Sequence, residues 1–311
     1  MTQAPAATLG EAPLAVPTVA LVIPRRRRLP TRRRLWQLRA GLAGLGLVAL
    51  VVVAAIGAPV VAPHDPLDQD ITARLLPPVW VTGGSFDNIL GTDRVGRDVL
   101  SRIIYGARIS LEVGALGVLI ASSIGIVLGI LAGFFGGRLD AAVSGLVNLF
   151  LAFPFILLAI ATVAVLGPSF VNMIIVLGVT SWPVYARLVR VETVRLREQD
   201  FVLAGRALGA SPMRLIRSYV LPNLVATIVV LSSLEVARLI VLESFLSFLG
   251  LGIQPPTPSW GGMLSEGRTY IFNMWWLATF PGLAIFVTTL GINLFGDALR
   301  DVLDPRMRGA S

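Results

Sequence analysis

Asp200-Phe-Val-Leu-Ala-Gly-Arg-Ala-Leu-Gly-Ala-Ser-Pro-Met-Arg-Leu-Ile-Arg-Ser-Tyr-Val-Leu-Pro222 is a polar helical island set between long apolar runs. Asp200 can cap a short helix over 201–208, Gly209 suits the left-handed residue that ends it, and Ser211-Pro212 reads as N-cap and first residue of a second helix. Two helices meeting at a tight corner are expected. Val202, Leu203, Ala207 and Leu208 set against Arg206, Arg214 and Arg217 predict one apolar and one basic side. Such a corner suits wedging into a groove of another protein; an ordinary amphipathic loop carries the same pattern.

Around this island the chain is built for a bilayer. It has 311 residues, 55% hydrophobic and 14% charged, with a mean hydropathy of +0.79, an apolar excess beyond that of soluble domains. Cysteine is absent, which excludes disulfides and thiolate chemistry. All 26 residues of the Lys+Arg total are arginine. Without lysine the chain cannot carry a Walker A loop, a Schiff base or a Ser-Lys dyad. Any ATP, with its Mg, must therefore be bound by another chain, and no cofactor is expected on this one. The net charge of +8 is confined to particular loops and forms no stripe of the kind that binds nucleic acid.

Six spans are expected, near residues 40–62, 109–135, 141–166, 169–190, 221–250 and 276–296, each close to the roughly 20 residues needed to cross the hydrocarbon. Residues 1–38 read as a disordered, basic tail, 39–62 as the first span, 63–108 as an outer excursion and 298–311 as a second tail. The transmembrane core is then 109–297, with the stretch 200–222 inside it. The end of the excursion, Val99, Leu100, Ile103 and Ile104, predicts an amphipathic helix lying on the membrane surface. Under this topology 19 arginines fall on one side, six on the other and Arg238 within a span. The positive-inside rule then places both termini and the 200–222 stretch in the cytoplasm.

Candidate functional groups are few. Gly125, Gly129 and Gly133 recur every four residues, the spacing that lets membrane helices approach closely. Pro154 and Pro183 fall inside the third and fourth spans, where each removes a backbone hydrogen bond and can kink the helix. Glu235, Arg238 and Glu243 interrupt the fifth span; charge at membrane depth is costly enough to mark function. Glu235 and Arg238, three apart, can pair on one face, either as a self-neutralising couple or as part of a translocation path; Glu243, nearer the outer surface, suits structure or gating. The single histidine, His64, has no spaced partner for a metal site or a triad.

The 200–222 stretch also resembles the cytoplasmic coupling loop of ATP-binding-cassette importer permeases, E-A-A, three residues, G, nine residues, I-x-L-P. Here Leu203-Ala204-Gly205 is followed by Arg206-Ala207-Leu208, Gly209, nine residues and Tyr219-Val220-Leu221-Pro222. Leucine replaces the glutamate, glycine the second alanine and tyrosine the isoleucine. Four further segments are similar to the C-type permease of dipeptide and oligopeptide importers: Gly91–Arg102, Glu243–Gly252, Gln254–Gly261 and Asp297–Arg306.

The resemblance implies an all-α, polytopic type I importer permease of MetI-like fold with six transmembrane helices. It implies a bacterial plasma membrane location, a homologous sister permease, two ATPase domains, an extracytoplasmic binding protein and a lipid surround. It also assigns Leu203, Ala204, Gly205, Arg206, Ala207, Leu208, Gly209 and Pro212 to the contact with the ATPases. Members carrying nickel chelates or glutathione share these motifs. An ion-coupled secondary transporter using Glu235 and Arg238 is the reading from another class; the inverted repeats that would favour it are not evident.

Overall fold

The computed structural model describes residues 31–303; most of the expected N-terminal tail and residues 304–311 lie outside it. The described chain is helical apart from loops and one isolated bridge, Thr92 to Asp98. Helix α1 runs Thr31–Ile56, so it starts within the basic stretch rather than at residue 39, and a short α2 follows at Ala58–Val61. Among the described residues five helices are long and apolar enough to cross a membrane, and a sixth span is formed if one bent pair is counted as a single crossing.

The second span departs from expectation. One unbroken helix, α3, covers Val99–Phe135, 37 residues, or about 55 Å against roughly 30 Å of hydrocarbon. The expected surface helix is its first turns. No proline interrupts the run, and Asp98 caps the start by accepting from Ser101 N at 2.7 Å. The apolar side of these turns meets protein instead of lipid: Val99 packs with Met263, Trp276 and Leu277, and Trp260 Nε1 donates to Ile103 O at 2.9 Å.

The third span is broken. Helices α4 (Gly137–Ala152) and α5 (Phe155–Leu166) meet at 88°. Pro154 has no N–H for the helix, and its ring pushes the preceding residue out of the helical region. Phe153 accordingly sits at ψ 133° and Pro154 at ψ 128°. Pro183, by contrast, remains inside α6 (Phe170–Arg197).

Past the corner formed by α7 (Asp200–Ala207) and α8 (Pro212–Leu215), α9 covers Leu221–Phe248. Then α10 (Trp260–Gly267) stands in the loop before α11 (Trp276–Leu303), which continues well past residue 296. Helices α3 and α6 run parallel and form the spine of the bundle. A Cβ on Gly129 would stand 2.8 Å from Ala186 O, and one on Gly133 2.7 Å from Arg190 O; Gly125 abuts Trp182 O and Tyr185 in the same way. The glycine ladder is thus the seam along which the two backbones touch, because van der Waals contact must supply what the hydrophobic effect cannot within lipid.

Candidate functional site

The α7–α8 corner sits where α6 gives way to α9. Gln199 rather than Asp200 precedes α7, with no side-chain cap; Asp200 is its first residue, an acid at the positive end of the helix dipole. Gly209 adopts φ +81°, and its N–H bonds Arg206 O at 3.0 Å while Ala210 N bonds Gly205 O at 3.1 Å. This pair of bonds closes the helix with a left-handed residue outside it. Ser211 then caps α8, accepting from Arg214 N, with Pro212 in the first turn.

At 100° per residue, Val202 and Gly205 fall on one face, and that face is buried. Val202, Leu215, Val220 and Leu224 join Ile130, Phe134, Val189 and Leu196 in one apolar cluster, so the corner is seated on the ends of α3 and α6. Arg197 reinforces the seat by donating to Gly133 O at 3.0 Å and Phe134 O at 3.3 Å, the free carbonyls at the end of α3. Arg190 on α6 grips Asp140 of α4 through both carboxylate oxygens.

The outward face carries Leu203, Ala204, Arg206, Ala207, Leu208, Gly209 and Pro212, all exposed. Gly205 is turned inward, where a Cβ would stand 3.0 Å from Leu215. The expected division into an apolar and a basic side is not found. Val202 is withdrawn into the core, whereas Leu203, Ala207 and Leu208 share the exposed surface with Arg206, Arg214 and Arg217. Leu208 is 90% exposed, and Met213, not singled out from the sequence, is 70% exposed. Two large apolar side chains are thus exposed on the corner, which also exposes Arg206, Arg214 and Arg217.

The charged groups of α9 separate into two settings. Arg238 Nη1 pairs with Glu235 Oε2 at 2.9 Å. Glu243 is fully buried and is cradled by hydroxyls: Ser247 donates at 2.7 Å, Ser244 lies at 3.3 Å and Ser110 of α3 at 3.5 Å. It fastens α3 to α9 within the packed interior and does not line an open mouth. Among the described residues no group of three or more His, Asp or Glu could hold a metal ion.

A buried ionic cluster at the opposite end was not legible. Arg97 donates to Asp93 at 2.6 Å and to Glu266 of α10 at 2.9 Å. Arg102 reaches the same two carboxylates, meeting Glu266 Oε2 at 2.8 Å. The Gly91–Arg102 segment was visible as a motif, but its partner Glu266 lies 164 residues from Arg102, and no local periodicity announces so distant a pairing. Both arginines are about 95% buried, so removing one partner strands charge out of water. Arg102→Met is expected to cost about 3–5 kcal/mol and to free the α10 loop, read as a lowered denaturation midpoint in detergent and new protease cleavage near residue 266.

A membrane-crossing helical bundle that seats an exposed helical corner on its core has the architecture of a membrane permease. Sequence comparison makes the family specific. The chain belongs to the binding-protein-dependent transport system inner membrane components, whose family model matches residues 125–309. Residues 31–78 match the N-terminal transmembrane domain of oligopeptide transport permease C.

The chain is 45% identical over 273 residues to the di/tripeptide transport system permease protein DppC of Pseudomonas aeruginosa, covering 88% of this chain and 90% of that one. It is 42% identical over 272 residues to the dipeptide transport system permease protein DppC of Haemophilus influenzae, covering 88% and 92%. In fold it is similar to an inward-facing structure of the MetNI methionine ABC transporter, with TM-score 0.53 and 21% identity over 65% of this chain and 96% of that one. The protein is thus a multi-pass inner-membrane permease subunit of type I importer fold, in a family that works with ATPase and substrate-binding partners.

Proposed function

We propose that this chain forms half of the translocation pathway of an ATP-driven importer of di- and oligopeptides, paired with a homologous sister permease. A binding protein delivers the peptide at the α10 end, outside the cell. Two ATPase domains, which bind ATP and Mg, stand below the α7–α8 end. Both chain termini are cytoplasmic, in keeping with the bias of arginines toward that side.

The observation that carries this reading is the corner itself: Leu208 and Met213 project 90% and 70% exposed from a unit firmly seated on α3, α6 and α9. An exposed corner that carries large apolar side chains together with arginines has the composition of a protein contact. Leu203, Ala204, Arg206, Ala207, Leu208, Gly209 and Pro212 meet the ATPase, and Gly205 sets the angle between the helices. Leu203, in place of an acid, makes that contact apolar. When the ATPases close, they move the corner, and α6 and α9 carry the displacement into the bundle as a rigid body.

The test is reconstitution of this chain with its sister, the ATPases and the binding protein in liposomes. Uptake of labelled dipeptide should require internal ATP and the binding protein. Uptake by this chain and its sister alone, driven by an ion gradient, would overturn the reading and restore the secondary-transporter alternative.

A further inference from the structure

The side chain of Arg238 is 43% exposed, whereas that of Glu235, its one partner among the described residues, is 8% exposed. Arg238 is ten residues from the α10 end of α9 and 17 from its other end, about 15 Å and 25 Å along the axis. The guanidinium therefore stands at membrane depth on the outside of the subunit. Its neighbours on the same stripe, Val241, Phe245 and Leu249, are exposed and apolar. A guanidinium among them, facing lipid, would be costly, and charges at such depth face a bundle interior or a water-filled path. Only one of its nitrogens is engaged by Glu235, which leaves most of its donor fork free. That fork matches a carboxylate in a bidentate manner.

We infer that Arg238 is a substrate-contacting residue that takes the C-terminal carboxylate of a peptide in transit. The inference rests on the peptide-permease reading given above. Glu235 neutralises the guanidinium when the path is empty, so no bare charge is stranded in the membrane. It also competes with the peptide, keeping the site weak, as a passage site must be if the substrate is to leave. One turn below Glu235, Ser232 accepts at 3.1 Å from the hydroxyl of Tyr185, which is buried on α6.

The test uses the full complex in liposomes and compares single-turnover uptake of a dipeptide with that of its C-terminal amide, both saturating the binding protein. The wild-type complex is expected to carry the free acid about tenfold faster, the loss that follows from one charge-assisted hydrogen bond. Arg238→Gln alone would leave Glu235 unpaired, so the principal variant is Glu235→Gln/Arg238→Gln, which removes both charges. It is expected to bring the two rates together, with Arg238→Lys intermediate. Retained preference in the double variant overturns the proposal. So does loss of assembly with the sister subunit, or equal slowing of both substrates, since Arg238 would then be an intersubunit contact. A wild-type complex that carries no peptide overturns the functional reading itself, and this inference with it.

Discussion

Gly209→Val is expected to leave the protein inserted and assembled while severing ATP hydrolysis from uptake. Gly209 sits at φ +81°, and no atom lies within 4 Å of where its Cβ would stand, so the effect is conformational rather than steric. The left-handed region costs an L-residue roughly 1–2 kcal/mol, and a β-branched one more. Valine relieves that strain by rotating the backbone, which breaks the bonds from Gly209 N and Ala210 N and swings α8 away from α7. Leu208 and Met213 then no longer keep their relative placement on the corner. Uptake per ATP hydrolysed should fall at least about tenfold, the change that follows from about 1.4 kcal/mol at the contact. Gly209→Asn should stay near wild type, because asparagine tolerates the left-handed region. Coupled uptake at the normal rate in the valine variant would refute the role of the corner.

Gly129→Leu is expected to force apart the two helices that form the spine of the bundle. Its Cβ would stand 2.8 Å from both Ala186 O and Val189 Cβ, and a backbone carbonyl in a helix cannot step aside alone. The only relief is separation of α3 from α6, which also pulls at Gly125 and Gly133 in the same seam. Overpacking of this kind costs about 1–3 kcal/mol and sometimes more. The folded fraction in detergent should drop sharply, and the corner seated on these helices should become open to protease. Gly145→Leu is the control, since nothing lies within 4 Å of that position; equal stability of the two variants would refute the seam.

Where the sequence was legible, short-range chemistry decided. The corner was readable because each of its parts is local: a left-handed glycine, a serine cap, a proline in the first turn. The i, i+3 pairing of Glu235 with Arg238 was readable for the same reason, and so was the spacing of the glycine ladder. What was misread depended on partners far along the chain. The turns at Val99–Ile104 have the pattern of a surface helix, yet α10 and α11 supply the apolar cover that lipid was expected to give. Pro154 was foreseen as a kink; a break of 88° follows once the chain has α6 to fold α5 against.

By itself the amino-acid sequence determined that this is a membrane protein with six apolar crossings, that it cannot bind ATP through a lysine loop, and that its polar island forms a two-helix corner. These rest on hydropathy, composition and backbone preference, which act over a few residues. Only the tertiary structure decided which side of the corner is presented, that Gly205 and Val202 face inward, and that Glu243 is enclosed by serines. It alone joined Arg97 and Arg102 to Glu266 and left Arg238 facing out of the subunit. Those outcomes depend on which helix is packed against which, and packing sets burial and desolvation from groups that local sequence cannot bring together.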